Sequence, residues 1–215
     1  RDGDVIMENC TEADFVSWEE YLEIREQYFP AGETEESGNF VFYKIDEEKG
    51  LAVLTLTQCI YNQVYIDCVK EMFTQVRQKG IHNVAVDLRG NGGGNSVVGN
   101  EFVKYLPVDS YAGGSADCRF GPFVIRRDGS SIANRRYEDF VFYGNVYVLT
   151  DRNSFSSAKD FAMLIQDNHL GQIVGEASAN SVNGYGEVAV FHLPNTGLLV
   201  QISTKKWYRI DENNP

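Results

Sequence analysis

Three serines and a run of glycines, each where a strand pattern gives way to a helix pattern, are the groups in this sequence best suited to chemistry. Ser154, Ser156 and Ser157 follow the apolar run Val146-Tyr147-Val148-Leu149-Thr150, and Asp87-Leu88-Arg89-Gly90-Asn91-Gly92-Gly93-Gly94 continues the run Val84-Ala85-Val86. A serine hydroxyl can act as a nucleophile when nearby backbone N–H groups stabilise the oxyanion that its attack creates. Glycines suit the second task, because they allow positive φ and leave amide N–H groups bare of side chains. Alone, each turn has an ordinary reading: a serine at a helix start caps it, and a glycine run makes a tight turn. Together they point to acyl chemistry, a serine hydrolase on an α/β core. A phosphate-binding loop is disfavoured, since neither G-x-x-x-x-G-K-[ST] nor a helix-opening G-x-G-x-x-G is present.

For these turns to meet, their strands must lie side by side. Residues 40–45 and 51–57 read as two strands joined by the turn Asp46-Glu47-Glu48-Lys49-Gly50. Val69, Met72, Phe73 and Val76 recur at helical spacing, and Gly80 ends that helix. Strand and helix then alternate: strand 84–88, helix from about 96 to 106, strand 146–150, helix from about 155 to 166. Runs this apolar, separated by helices, predict a largely parallel sheet covered on both sides. Adjacent parallel strands would bring both turns to the carboxyl edge of the sheet, where ligands of open α/β sheets bind. Residues 107–144 read as an insertion with a strand at 122–127, and strands return at 172–175, 187–193, 199–203 and 207–210. Ahead of the core, residues 11–29 read as an acidic helix ending before Pro30, and 31–38 as a linker. The expected division is an N-terminal helical segment over 1–38 and one core domain over 39–215.

A chain of 215 residues holds one sizeable core, and 43% apolar residues argue for a packed globule. A net charge of −12 repels phosphates and anionic lipid, so neither nucleic acid nor a membrane surface is an expected partner. No apolar run approaches the ~20 residues that cross a bilayer. Nor do residues 1–20 carry the basic-then-apolar pattern of a signal peptide. The abrupt start at Arg1 suggests a processed product or a piece of something longer, and the compartment stays open. Cys10, Cys59, Cys68 and Cys118 lack C-x-x-C spacing, which disfavours zinc and redox motifs and favours free thiols. No metal or organic cofactor is expected.

The segments D-L-R-G-N-G-G-G and N-S-F-S-S-A-K-D-F, followed by Ile173-Val174-Gly175-Glu176, resemble the core of the C-terminal processing and tricorn-type serine peptidases, over roughly residues 39–215. The resemblance implies a crotonase-like fold: a mixed, largely parallel sheet with flanking helices. It further implies that Ser156 is the nucleophile, that the Ser157 N–H donates to the oxyanion, and that Gly93, or alternatively Gly94, supplies the second donor. Asp87, Arg89 and Asn91 match residues that shape the glycine loop. The substrate implied is a peptide or unfolded protein, and a homo-oligomer is possible.

The sequence departs from that family at the base. Relatives with a Ser-Lys dyad carry the lysine shortly after the Gly-Glu strand, whereas residues 177–184 here read A-S-A-N-S-V-N-G. The tricorn-like branch uses a histidine from its N-terminal part, oriented by a glutamate that Glu212 resembles, yet residues 1–81 hold no histidine. His169 lies 13 residues past Ser156, roughly 20 Å along a helix and out of reach. His82 and His192 have structural readings. Lys159 completes an S-x-x-K spacing one helical turn from Ser156, with an exposed surface lysine as its ordinary alternative. The base is therefore expected on a segment outside this sequence. The competing reading is a non-enzymatic binding module of the same fold, with Phe120, Phe123, Phe140 and Phe142 lining a ligand groove or simply filling the core.

Overall fold

A computed structural model of the protein describes residues 40–211. The expected helix at 11–29, the linker at 31–38 and Glu212 lie outside the described residues.

Strands β1 (Val41–Asp46) and β2 (Leu51–Leu56) form an antiparallel hairpin, and β2 then pairs in parallel with β3 (Asn83–Asp87). Beyond β3 come β8 (Asn145–Thr150) and β9 (Gln172–Gly175), both parallel, so the sheet order is β1-β2-β3-β8-β9. Each parallel step carries a helix: α1 (Gln63–Gln78) between β2 and β3, α2 (Val97–Val103) between β3 and β8, and α3 (Ser157–Asp167) between β8 and β9.

The strands advance in one direction across the sheet, and parallel crossovers are right-handed, so successive helices fall on the same face. The contacts agree: α1 touches α2, α2 touches α3, and α1 and α3 rest on opposite halves of the sheet. The expected two-sided covering is thus corrected. Among the described residues the second face has no helix, and its Leu51, Val53, Tyr147 and Leu149 are half-buried, whereas Ala52, Leu54, Leu56, Val146 and Val148 on the helical face are buried. The strict alternation along β2 and β8 is the local mark of that one-sided burial.

Helix α1 begins at Asn62, whose side chain accepts the Tyr65 N–H at 3.1 Å, satisfying one of the donors that every helix start leaves unpaired. Its apolar stripe of Tyr65, Val69, Met72, Phe73 and Val76 is buried. Phe73 stacks on Tyr105 at 4.4 Å between centroids and tilts against Phe102 and Phe142 at 5.5 and 5.8 Å. Phe102 in turn meets Phe161 of α3 at 5.4 Å, so one aromatic chain ties all three helices together. Removing any of these rings costs about 3–5 kcal/mol.

The insertion holds more order than its sequence suggests. Besides the expected strand, β6 (Phe123–Arg127), it contains β4 (Ser110–Ala112), β5 (Ala116–Phe120) and β7 (Ser131–Ala133). β4 pairs with β7 and β5 with β6, both antiparallel, and the end of the last strand, Lys205–Trp207, pairs with β5. Phe142 is buried and Phe140 half-buried in the core, while Phe120 and Phe123 on the β5–β6 hairpin are 62% and 69% exposed. The carboxyl-terminal strands are β10 (Gly184–His192) and β11 (Leu199–Trp207). Residues 187–204 form a compact unit of their own, a hairpin closed by the Leu193 N–H on the Leu198 carbonyl and by the Thr204 hydroxyl on the Glu187 carbonyl. Cys59, Cys68 and Cys118 are free thiols.

Candidate active site

Because β3 and β8 are hydrogen-bonded neighbours running in the same direction, the turns that leave them meet at one edge of the sheet. Two groups fasten them together. Ser154, fully buried, donates its hydroxyl to the Leu88 carbonyl at 2.9 Å and accepts the Asp151 N–H at 3.0 Å. Asp151 Oδ1 accepts the Gly90 N–H and the Asn153 N–H, both at 3.0 Å. These backbone donors, the Gly90 N–H first, hold the Asp151 carboxyl below its usual range. Asp151 was not singled out from the sequence; its position directly after an apolar strand, at the start of a turn, is the signal that marks such a side-chain-to-backbone tie.

The glycine bend is shaped from within by Asn91. Its fully buried side chain donates to the Leu56 carbonyl at 2.7 Å and accepts the Gly93 N–H at 2.8 Å. Cys59 completes the support: its N–H donates to the Gly93 carbonyl at 3.0 Å, and its carbonyl accepts the Asn95 N–H at 2.7 Å. Burial pushes the Cys59 thiol up to about 12, so it is a neutral packing group here. Arg89 clasps Asp87 through Nε and Nη2 at 2.9 and 2.7 Å, and that pairing holds the Asp87 carboxyl below its usual range.

Gly93 and Gly94 are required as glycines. Gly93 has φ 98°, and a Cβ there would stand 2.7 Å from Ser156 Cβ, 2.8 Å from the Phe155 carbonyl and 3.0 Å from the Ser157 nitrogen. Gly94, at φ 136°, would drive a Cβ to 2.3 Å from the Cys59 carbonyl. The bend therefore lies directly against the serine turn. The Gly93 N–H is committed to Asn91, whereas among the described residues the Gly94 N–H makes no hydrogen bond.

The serines divide their labour. Ser154 is the structural tie described above. The Ser157 hydroxyl donates to the Gly94 carbonyl at 2.7 Å, a second strut between the turns, while its N–H, in the first turn of α3, is unpaired among the described residues. Ser156 stands alone: it is exposed, occupies the N-cap position without making a cap bond, and adopts φ 52°, ψ −123°. A non-glycine residue there costs about 1–3 kcal/mol and persists only where its surroundings force it. That strained strand-to-helix turn presents the Ser156 hydroxyl outward, beside the bend and the Ser157 N–H, as a nucleophile elbow does.

No histidine is hydrogen-bonded to Ser156 among the described residues. His82 sits at the opposite end of the sheet, its carbonyl accepting the Asn145 N–H at 2.9 Å, and His169 follows the C-terminus of α3 at φ 56°. His192 belongs to the 187–204 unit. Lys159 corrects its ordinary reading: it is buried, with 7% of its surface exposed, and its ammonium contacts the Ser181 and Val182 carbonyls and Asp160. Among the described residues no three His, Cys, Asp or Glu side chains gather as metal ligands, and no helix is long and apolar enough to cross a membrane.

Known proteins give this geometry a context. No curated protein matches the sequence significantly. Among solved structures, the photosystem II D1 C-terminal processing protease is 21% identical with a TM-score of 0.55, over 74% of this chain and 38% of its own. A candidate peptidase of Parabacteroides merdae is 18% identical with a TM-score of 0.65, over 89% and 58%. A candidate S41 protease of Bacteroides fragilis is 16% identical with a TM-score of 0.53, over 80% and 46%. The matches thus span 38% to 58% of these three proteins' own lengths. At such identities the likeness is one of fold, a mixed α/β core with a largely parallel sheet. The family model for peptidase family S41 matches residues 50–214, more than half of the chain, and takes in both turns. The protein belongs to peptidase family S41.

Proposed function

We propose that the chain carries the nucleophile and oxyanion site of a serine-type endopeptidase acting on peptides or unfolded proteins. Ser156 Oγ attacks the scissile carbonyl carbon while its proton passes to a base, and the carbonyl oxygen becomes a tetrahedral oxyanion. The Ser157 N–H and an N–H of the Gly93–Gly94 pair receive that oxyanion. Of the two, Gly94 has the uncommitted N–H, and Gly93 serves if its bond to Asn91 opens. Collapse expels the amine, which takes a proton from the base, and water then hydrolyses the Ser156 ester.

The base is proposed to lie outside the described residues, with Glu212 orienting it. The oxyanion site alone would then retain weak acyl reactivity, because a hole without its base still stabilises the transition state. One observation carries the reading: Ser156 is held in a strained conformation with its hydroxyl unspent, against a bend whose glycines admit no side chain.

The test is cleavage of fluorescein-labelled denatured casein by the full-length gene product and by its Ser156→Ala variant, with labelling by a fluorophosphonate. Loss of both in the variant is expected. Cleavage that survives Ser156→Ala overturns the nucleophile assignment. A wild type that neither cleaves nor labels would leave a binding module of the same fold.

A further inference from the structure

Residues 176–184, from the end of β9 to the first residue of β10, run beside the serine turn and contribute little apolar surface: Ala177, Ser178, Ala179, Asn180 and Ser181 are all small or polar. Such a segment cannot be held by burial, so polar ties must hold it. They follow one another along the turn. The Glu176 N–H meets the Thr150 carbonyl at 3.0 Å, the Ala179 N–H meets the Arg152 carbonyl at 3.1 Å, and the Ser178 hydroxyl meets the Ser154 carbonyl at 2.6 Å. At the far end, Asn183 Oδ1 accepts the Arg209 N–H at 2.9 Å, and Arg209 is locked to the buried carboxylate of Asp167. Between these ends Lys159 grips the segment: its Nζ donates to the Ser181 carbonyl at 3.3 Å and the Val182 carbonyl at 3.1 Å and pairs with Asp160 at 3.2 Å.

An ammonium has three N–H donors, and here each has an acceptor. Lys159 lies one helical turn from Ser156, yet its Nζ is turned to the carbonyls of the 176–184 segment and to Asp160. Its burial gives the contacts weight, because a buried cation stripped of acceptors is costly.

We propose that Lys159 is a positioning residue that straps residues 176–184 along the nucleophile turn, where they form one wall of the substrate cleft. The inference rests on the peptidase reading for its effect on substrate, though not for the strap itself. Lys159→Met keeps the length and the apolar stem and removes the donors; Lys159→Arg keeps donors able to reach both carbonyls.

In the full-length protein, Lys159→Met should speed amide exchange in residues 177–184 about tenfold while α3 stays protected. It should raise the apparent KM for fluorescein-labelled denatured casein about tenfold with kcat within a factor of about three. Lys159→Arg should restore both. Unchanged exchange in 177–184 overturns the strap. A collapse of kcat with KM unchanged overturns the positioning role in favour of proton transfer. Loss of protection throughout α3 with no KM effect reduces Lys159 to a core residue. Should the wild type fail to cleave casein, the peptidase reading falls by itself, and exchange in 177–184 still decides the strap.

Discussion

The two ends of the parallel sheet make an instructive pair. At the amino end of β3 and β8 lies a cleft of about 190 Å³, bordered by Phe73, Val76, Ile81, Phe140 and Phe142 with His82 at its rim. At the carboxyl end the two turns hold four residues with positive φ, Ser156, Gly90, Gly93 and Gly94, and an exposed hydroxyl unspent among the described residues. The first end is concave and lined by packed rings; the second holds a non-glycine residue, Ser156, at positive φ. Concavity by itself follows from how aromatic rings pack, whereas strain has to be held in place by named groups: Asn91, Asp151, Ser154 and Cys59. The proposed site is where structure is spent on holding an unfavourable conformation, at the carboxyl end.

That contrast can be broken experimentally. Ser156→Ala should abolish fluorophosphonate labelling and lower casein cleavage by the full-length protein at least about 10³-fold. Melting temperature should change little, because the hydroxyl makes no hydrogen bond among the described residues; a large drop in melting temperature would show a structural role instead.

Gly93→Ala should cost about 10²-fold in labelling rate, since its Cβ would have to push the serine turn out of place. An unchanged rate would mean that the two turns do not abut as described. Asn91→Ala leaves the Leu56 carbonyl and the Gly93 N–H without their buried partner, and should lower unfolding free energy by about 2–3 kcal/mol in urea titrations.

The acid limb sharpens the picture further. Arg89 depresses the folded-state pKa of Asp87 below its ordinary 3.8, so the pair's contribution is fully present above that value and is lost as pH falls through the folded-state pKa. The urea midpoint should therefore fall below about pH 4, and Asp87→Asn should flatten that part of the curve; an unaltered slope would refute the linkage. Smallest of all, His82→Ala at the amino end should leave labelling and cleavage unchanged. A loss of cleavage there would mean that the amino end takes part in catalysis after all.

Much of the positioning framework was legible before folding. The apolar runs of β3 and β8, each ending in a turn, announced neighbouring parallel strands, and the stripe Val69, Met72, Phe73, Val76 announced α1. Strands β4, β5 and β7 were not legible, because they carry no sustained apolar run and their partners are set by pairing across the insertion. The burial of Lys159 was equally hidden. A lysine one turn into a helix reads as solvent-facing, and only the return of residues 181 and 182 encloses it. Likewise, nothing near Cys59 in the sequence shows that its backbone will carry the glycine bend of residues 93–95.

The amino-acid sequence by itself determined which groups were on offer: a serine at a strand-to-helix junction, glycines that admit positive φ, and a segment after β9 with no lysine. Those are local properties, written in residue type and spacing. Only the tertiary structure decided which of three serines stays unspent, which glycine N–H is free, and that Lys159 grips a loop. Each of those outcomes depends on which distant carbonyl or carboxylate arrives alongside, and strand order settles that.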